Sequence, residues 1–468
     1  MNKESKTSVN REHFDLIIIG TGSGNSIITP DFDEWKIAII EKGVFGGTCL
    51  NRGCIPSKML VHTANVVNEI IDSEALGVDA SVESIRWADI MDRVYKRIDP
   101  IAEGGESYRQ HLPNVTVYKG HARFVGNKTL EVNSQELTAE NIVIATGAKP
   151  FIPDIAGLNK TNFHTSDSIM RISEFPESMT IIGGGYIATE LAHVFSSLGS
   201  RVSLVARGQR LLKAQDKEIS EKFTGVFRKQ ISLYLESEVQ NVTTNEAGGV
   251  NVSFMSPAGL SSIESDILLV ATGRTPTTDE LNLEATDIAI GEEGYVVTNE
   301  QMSTTVPGVY ALGDVTNPAQ LKHTANAETR VISNNLIHPS SPVSIDLRPT
   351  PYAIFTRPQI ASVGANEEEL TAHGVEYIAG KGNYSEIAYG WAMEETDGFC
   401  KVLADPHTGN ILGAHILGPH ASTLIHQLVQ AMKFGQTVHE LSRGMLYVHP
   451  ALNEVVEIAL IHASEACY

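Results

Sequence analysis

Two stretches of the sequence share one pattern: a short apolar run, a glycine-rich turn and a second apolar run. Residues 14–24 form the first run and turn, and residues 37–40 form the run that follows. Residues 179–185 and 202–205 repeat this arrangement later in the chain. The pattern is typical of a βαβ unit whose turn binds the pyrophosphate of a dinucleotide at a helix N-terminus. Because it occurs twice, it predicts two Rossmann-like modules.

A second repeat indicates how these modules are arranged along the chain. Residues 142–147 and 268–273 are similar apolar runs that end in Ala-Thr-Gly, and each closes one module. After Asp314 the apolar runs become short and alternating, which predicts an antiparallel sheet followed by an amphipathic helix. We therefore predict an α/β chain of two nested dinucleotide-binding domains and a C-terminal α+β domain. The predicted domains are 1–150 with 276–345, then 151–275, then 346–468.

The residue that ends the second strand of each module indicates its ligand. Glu41 ends the first one, and its carboxylate can accept hydrogen bonds from the hydroxyls of an adenosine ribose. The second ends in Ala206, with Arg207, Arg210 and Lys213 close behind. Cations without an acid suit a ribose that carries a 2′-phosphate, which favours NADPH over NADH. The alternative is that these cations belong to a solvated surface turn.

The first glycine turn departs from the usual pattern at its third position. Asn25 stands where glycine or alanine normally allows close packing of the helix on the strand. Pro30 follows and interrupts a helix early. We therefore expect a short or tilted helix after this turn.

Composition limits the class of protein. The formal net charge of −21 argues against nucleic acid or an anionic membrane surface as a partner. Residues 1–13 are polar and contain no apolar signal-peptide region, and no early apolar run could span a bilayer. We expect a cytoplasmic enzyme. Four cysteines in 468 residues do not form a disulfide framework.

Cys49 and Cys54 are the unusual pair, because they lie close together shortly after the first glycine turn. In a reducing compartment such a pair is more often catalytic or metal-binding than structural. Half of a zinc site and a buried inert pair are the alternatives, although no second Cys or His pair at ligand spacing completes a zinc site.

The segment 47–58, Gly-Thr-Cys-Leu-Asn-Arg-Gly-Cys-Ile-Pro-Ser-Lys, resembles the redox-active segment of the flavoprotein pyridine nucleotide-disulfide reductases. That family includes glutathione reductase, dihydrolipoamide dehydrogenase, mercuric reductase and mycothione reductase. Residues 311–314 resemble its second FAD motif, and residues 351–364 resemble the opening of its dimerisation domain. The resemblance extends from Asp15 to Glu457.

The resemblance implies an enzyme that contains FAD and takes electrons from NADPH. It makes Cys54 the sulfur that contacts the flavin and Cys49 the thiol that attacks the substrate disulfide. It also pairs Lys58 with Glu190 near the flavin ring. The implied FAD-binding residues are Gly20, Gly22, Gly24, Glu41, Thr48, Ala122, Thr146, Gly147, Gly313 and Asp314. The implied NADPH-binding residues are Gly183, Gly185, Tyr186, Ala188, Arg207, Arg210, Lys213 and Gly273.

The last family segment is His-Pro-Ala-Leu-Asn-Glu at 449–454. The resemblance makes His449 the acid/base, oriented by Glu454 and acting on the active site of the other subunit of a homodimer. Imidazole suits that role because it titrates near neutrality and a thiolate leaving group needs a proton.

Within the family, the variant first turn with Asn25 and Pro30, and the run 321–328, resemble the branch that reduces mycothione. The implied substrate is this low-molecular-weight disulfide. Dihydrolipoamide dehydrogenase and glutathione reductase remain alternatives, although the former commonly carries an acid where Ala206 stands. Mercuric reductase is a poor match, because only Cys467 lies near the C-terminus. A non-catalytic flavoprotein that serves as a binding subunit is the alternative from another class.

Overall fold

The computed structural model describes residues 11–468 and divides into two compact units, which are described separately. The described part of the first unit comprises residues 11–56, Asp92–Phe151 and Arg274–Leu347. The second comprises Ser57–Met91, Ile152–Gly273 and Arg348–Tyr468. We expected the polar N-terminal segment to carry no secretory signal. Most of that segment, residues 1–10, lies outside the described residues.

Strands and helices are numbered in chain order. The strands are β1 Arg11–Ile19, β2 Ile37–Glu41, β3 Val115–Lys119, β4 Arg123–Gly126, β5 Thr129–Val132, β6 Gln135–Ile144, β7 Ala148–Pro150, β8 Ser178–Ile182, β9 Arg201–Val205, β10 Ser232–Tyr234, β11 Glu238–Thr244, β12 Val250–Ser256, β13 Gly259–Ser265, β14 Ile267–Val270, β15 Arg274–Pro276, β16 Val309–Ala311, β17 Pro351–Ile354, β18 Ile360–Gly364, β19 Ile378–Asn383, β20 Phe399–Ala404 and β21 Ile411–Leu417. The α-helices are α1 Gly47–Arg52, α2 Cys54–Asp72, α3 Trp87–His111, α4 Tyr186–Ser197, α5 Lys217–Phe227, α6 Lys322–Ile337, α7 Glu367–Ala372, α8 Ala388–Ala392, α9 Ala421–Phe434, α10 Val438–Gly444 and α11 Glu454–Ala466. Short 3₁₀ helices occupy Ser23–Ser26, Pro30–Phe32, Ser73–Leu76, Leu158–Lys160, Ile169–Arg171, Leu283–Ala285, Gly313–Val315 and Tyr384–Glu386.

The first unit is built on a sheet in the order β3-β2-β1-β6-β5-β4, with β16 also paired to β6. Strands β1, β2, β3, β6 and β16 are parallel, and the buried residues of β1 explain its nearly continuous apolar run. The register aligns Ile19 with Ile40 and Ile144, and Ile144 with Ala311. The segments that follow these strands therefore emerge at one edge of the sheet, where ligands of parallel sheets bind.

The connection from β1 to β2 corrects one prediction. The βαβ pattern predicts a helix here, but residues 20–36 contain only the two 3₁₀ helices Ser23–Ser26 and Pro30–Phe32. We expected a short or tilted helix after this turn, but the segment contains no α-helical turn at all. Pro30 begins the second 3₁₀ helix and lacks the N–H that an α-helix would need there.

The second unit contains the other Rossmann-like module, a parallel sheet in the order β10-β9-β8-β14. Here a regular α-helix, α4, follows the glycine turn, as predicted. The antiparallel hairpins of β11, β12 and β13 form a separate small sheet.

The C-terminal part of the second unit is the predicted antiparallel sheet, in the order β17-β18-β21-β20-β19. Its apolar core includes residues of α9 and α11, and α9 matches the predicted amphipathic helix. A buried cation, Lys401 of β20, lies 2.6 Å from Asp216 and 2.7 Å from Glu367. Burial of an ion is tolerated when it is paired in this way.

The fold class is therefore confirmed: two parallel-sheet modules of the Rossmann type and a C-terminal α+β part. Among the described residues, no helix combines the length and the apolar character that a membrane span requires.

Candidate functional site

The first glycine turn lies directly against the end of β6. Gly20 has a φ of +103°, and a Cβ added to it would lie 2.4 Å from the carbonyl oxygen of Ala145. Only glycine fits there, so this turn packs closely against the residues that follow β6. The same added atom would lie 3.4 Å from the Thr146 nitrogen, which places another predicted cofactor residue beside the turn.

Glu41 is fixed at the end of β2 by three hydrogen bonds. The backbone N–H of Thr21 donates to its Oε2 at 3.0 Å, and the Thr21 hydroxyl donates to the same oxygen at 2.6 Å. The N–H of Gly43 donates to Oε1 at 2.7 Å. A carboxylate oxygen has more than one acceptor position, so Glu41 can still accept a bond from a ribose hydroxyl.

The redox segment begins where it meets the glycine turn. A Cβ on Gly47, whose φ is +66°, would lie 2.6 Å from the Cα of Gly22. Gly47 is the first residue of α1, which carries Thr48 and Cys49. The structure thus brings the predicted dinucleotide turn and the first predicted redox cysteine into one neighbourhood.

Three other predicted cofactor residues flank this edge. The Thr146 hydroxyl donates to the carbonyl oxygen of Thr277 at 3.3 Å, and the Thr277 N–H donates to the carbonyl oxygen of Gly147 at 3.0 Å. Ala122 is only 3% exposed, and its side chain belongs to the apolar core of the sheet. The Ala122 side chain is therefore not available to a ligand.

The second predicted FAD motif forms a 3₁₀ turn after β16. Burial raises the pKa of the Asp314 carboxyl, while Arg274 and Lys322 act in the opposite direction. The N–H of Gly313 donates to the buried Glu328 of α6 at 2.5 Å. No sequence motif assigned a role to Glu328. The only indication in the sequence that Glu328 could belong to the site was its position in the run 321–328, which resembles one branch of the family.

The segment between the two cysteines is held by Asn51. Its side-chain amide donates to the carbonyl oxygen of Phe45 at 2.8 Å and to that of Gly47 at 3.0 Å. Asn51 is buried, so these bonds are protected from water. They fix the turn that precedes α1 and hence the position of Cys49.

Cys49 and Cys54 are present as thiols that interact with each other. The pKa of the Cys49 thiol is raised, mainly by its hydrogen bond with Cys54 and further by burial, while the positive charge of Lys322 acts to lower it. A thiol nucleophile must be ionised, so Cys49 needs additional help from a base or a cation. In the part of the chain that the structure describes, no group of three or more His, Cys, Asp or Glu residues is arranged to hold a metal ion.

Lys58 and Glu190, predicted as a pair, are in contact. The Nζ of Lys58 lies 2.6 Å from Oε2 of Glu190, and the N–H of Phe355 donates to Oε1 at 2.9 Å. Nζ of Lys58 also lies 4.6 Å from the centroid of the Phe355 ring, in cation–π geometry. The Glu190 side chain is 8% exposed, so its negative charge depends on these two donors.

Replacing Lys58 with methionine should lower stability by about 2 kcal/mol, because the buried Glu190 loses its charged partner. The denaturant midpoint of unfolding measures this. Lys96→Met is the matched control, since the exposed Lys96–Asp92 pair should contribute only about 0.5 kcal/mol. Equal midpoints for the two variants would contradict a stabilising role for the Lys58–Glu190 pair.

The second glycine turn has the geometry of a pyrophosphate site. A Cβ on Gly183, at φ +135°, would lie 2.2 Å from the carbonyl oxygen of Ala271. Gly185 is the N-cap of α4, and a Cβ there would meet no atom within 4 Å. The helix N-terminus is thus open to an anion. Tyr186 begins α4 and is 45% exposed, whereas Ala188 is fully buried.

The predicted 2′-phosphate cations differ in their surroundings. Arg207 and Lys213 are exposed, whereas Arg210 is half-buried and forms an ion pair with Glu368 at 2.8 Å. Gly273, at φ +123°, ends the segment after β14. Arg207 and Lys213 are therefore open to a phosphate, whereas Arg210 is already paired with a carboxylate. The position of Arg210 in the sequence did not indicate this ion pair.

His449 and Glu454 form the predicted pair at the start of α11. Nδ1 of His449 lies 2.8 Å from Oε1 of Glu454, whose Oε2 accepts the N–H of Ala451 at 3.1 Å. Burial acts to raise the pKa of Glu454, but the hydrogen bonds from His449 and Ala451 lower it overall. An ionised Glu454 keeps a proton on Nδ1 and leaves Nε2 available for proton transfer. The His449 side chain is 71% exposed.

The chain is similar to known proteins over most of its length. Residues 14–329 match the pyridine nucleotide-disulphide oxidoreductase family, and residues 350–460 match the dimerisation domain of that family. Mycothione reductase of Mycobacterium tuberculosis is 45% identical over 96% of this chain and 99% of that protein. Mercuric reductase of Lysinibacillus sphaericus is 34% identical over 94% of this chain and 81% of that protein.

A solved structure shares the fold. The HOCl-induced flavoprotein disulfide reductase RclA from Escherichia coli aligns with a TM-score of 0.83 at 27% identity, over 96% of this chain and 99% of that chain. These matches confirm the predicted enzyme class and the predicted cofactors, FAD and NADPH. The chain belongs to the pyridine nucleotide-disulphide oxidoreductase family.

Proposed function

We propose that this enzyme reduces mycothione, the disulfide of a cysteinyl glucosamine–inositol thiol, with electrons from NADPH. The observation that carries the proposal is the 45% identity to mycothione reductase over nearly the full length of both chains. The sequence identity to mercuric reductase of Lysinibacillus sphaericus is 34%, and that to the dihydrolipoyl dehydrogenase of pea is 32%. The variant first glycine turn, with Asn25 and no α-helix, supports the same branch.

The two glycine turns fit the two cofactors. FAD would lie at the edge of the first sheet, held by the turn at Gly20, by Glu41 and by Asp314. NADPH would lie on the turn at Gly185 and the N-terminus of α4. Bound FAD would pass two electrons from NADPH to a disulfide. We assign residues 1–150 and 276–345 to an FAD domain, 151–275 to an NADPH domain and 346–468 to a dimerisation domain.

The cysteines carry out disulfide exchange. The Cys49 thiolate attacks one sulfur of the substrate, so a mixed disulfide forms as the substrate S–S bond breaks. The departing thiolate takes its proton from the His449 imidazolium. Cys54 then attacks the sulfur of Cys49, which restores the Cys49–Cys54 disulfide and releases the second thiol. The raised pKa of Cys49 supports a need for His449, whose positive charge would favour the thiolate.

His449 acts on the active site of the partner subunit of a homodimer in this proposal. The dimerisation-domain match supports it, as does the surface around the histidine. Leu446 is 100% exposed and Val448 is 69% exposed in the single chain. Such apolar side chains beside an exposed catalytic candidate are typical of a surface that a partner covers.

Replacing both Arg207 and Lys213 with alanine should raise KM for NADPH about tenfold or more, because two cations that can contact a 2′-phosphate are lost. The KM for NADH, which lacks that phosphate, should change less than twofold. Initial rates with each coenzyme measure this. Arg228→Ala is the control, since Arg228 follows the C-terminal end of α5, whereas Arg207 and Lys213 precede its N-terminal end. Parallel losses with NADPH and NADH would contradict the assignment.

Initial rates with mycothione, glutathione disulfide and lipoamide test the substrate. We expect kcat/KM to be highest for mycothione with NADPH, and Cys49→Ser measures the background. A clear preference for lipoamide with NAD would instead assign a dihydrolipoamide dehydrogenase. We place the enzyme in the cytoplasm, because such a thiol-dependent reaction suits a reducing compartment.

A further inference from the structure

The first glycine turn lacks the electrostatic support that a βαβ unit normally provides. A helix that begins after such a turn contributes roughly half a positive charge at its N-terminus, where the pyrophosphate binds. Here the turn leads into a 3₁₀ helix of only four residues, Ser23–Ser26. A single 3₁₀ turn aligns too few peptide dipoles to replace that charge.

Side chains of the distant helix α6 bind backbone and hydroxyl oxygens of this segment instead. The Thr329 hydroxyl of α6 donates to the carbonyl oxygen of Ser23 at 3.3 Å, and the Lys322 ammonium donates to the Ser23 hydroxyl at 2.8 Å. The Ser333 hydroxyl donates to the carbonyl oxygen of Ile27 at 3.1 Å. In an α-helix, backbone N–H groups would bind such carbonyls.

Arg109 of α3 makes the strongest of these contacts. Its guanidinium donates from Nε to Oδ1 of Asn25 at 2.9 Å, and from a terminal nitrogen to the carbonyl oxygen of Asn25 at 2.6 Å. Both bonds engage the residue that departs from the usual glycine or alanine. Arginine presents such paired donors in a rigid plane, which fixes the position of its acceptor.

The positive charge of Arg109 has no counter-charge among the described residues. The residue is 8% exposed, and burial lowers the pKa of its guanidinium. Its neighbours are the neutral Asn25 and the Tyr108 ring, whose centroid lies 5.4 Å from the guanidinium carbon. None of the ion pairs among residues 11–468 joins Arg109 to a carboxylate. A buried cation without an acid is costly unless an anion binds close by.

We propose that Arg109 is a positioning residue for the FAD pyrophosphate. It fixes the glycine turn through Asn25, and its charge takes the place of the missing helix N-terminus. The inference rests on FAD binding at this turn, as proposed above.

Release of FAD from the diluted holoenzyme, followed by flavin fluorescence, tests the inference. We expect Arg109→Gln to raise the dissociation constant about tenfold or more, because a charge-assisted interaction is lost. Arg109→Lys should weaken FAD binding less than Arg109→Gln does, since lysine keeps the positive charge but loses the paired planar donors to Asn25. Arg97→Gln is the matched control, because it removes an exposed charge from the same helix. It should leave FAD binding unchanged.

A dissociation constant for Arg109→Gln within twofold of Arg97→Gln would overturn the inference. Equal weakening by the lysine and glutamine variants would also overturn it, because the charge would then not matter. If Arg109→Gln does not fold, Asn25→Ala tests the inference instead. This variant removes the side-chain amide that binds Arg109 and introduces the alanine that such turns commonly carry. We expect weaker FAD binding, and unchanged binding would contradict us. A wild-type protein without FAD would instead remove the proposed function.

Discussion

Replacing Cys49 with serine should abolish disulfide turnover while FAD stays bound and NADPH still reduces it. The loss should be about a thousandfold or more, because a serine hydroxyl is hardly ionised near neutrality and cannot take part in disulfide exchange. Cofactor binding should persist, since Asn51 holds the turn before α1 through backbone oxygens that the substitution does not touch. Steady-state rates with mycothione and anaerobic reduction of the flavin measure the two properties separately.

The matched control for this variant is Cys467→Ser. The Cys467 thiol hydrogen-bonds within the C-terminal segment, to the carbonyl oxygens of Ala463 and Asp405, and has no part in the proposed exchange. Its serine variant should turn over normally. If Cys49→Ser kept more than a tenth of wild-type turnover, the role assigned to Cys49 would be wrong.

The second large effect is expected from His449→Ala, which should slow turnover about 10²- to 10⁴-fold, the usual contribution of a general acid–base. The loss arises because the substrate's leaving thiolate has no proton donor and Cys49 loses the cation that favours its thiolate. Reduction of the flavin by NADPH should be unaffected, because no proton from His449 is needed in that half of the reaction.

Glu454→Gln tests how much the orientation of the His449 ring contributes, apart from proton transfer by His449 itself. The amide can still meet His449 but carries no charge, so it no longer selects the Nδ1 proton, and we expect an intermediate loss of about tenfold. His407→Gln is the control, because His407 is an exposed histidine paired with Glu376 on the surface. A His449→Ala enzyme as fast as His407→Gln would contradict the assignment.

Much of the fold follows from local patterns. The apolar runs that become β1, β2, β8 and β9 are strands because their side chains are buried in parallel sheets, and a pattern of four to six residues already carries that information. The Cys and His–Glu segments could be located for a similar reason. Each is short and contiguous, so the sequence contains the whole motif.

The remaining features depend on residues far apart in the chain. In the first turn, Arg109, Thr329 and Ser333 satisfy carbonyls that a helix would have satisfied, and no local pattern connects these residues. Arg210 is similar, since its partner Glu368 lies in another part of the sequence. Sequence patterns indicate which backbone groups are exposed at a turn, but only the folded chain identifies their partners.

An anaerobic titration of the protein with NADPH, followed by absorbance, tests directly whether electrons pass through the flavin to Cys49 and Cys54. We expect the first equivalent to produce a long-wavelength band, because reduction of the disulfide would leave a Cys54 thiolate that can interact with bound oxidised flavin. Immediate bleaching of the flavin without that band, or a protein that NADPH cannot reduce, would show that electrons do not pass through Cys49 and Cys54.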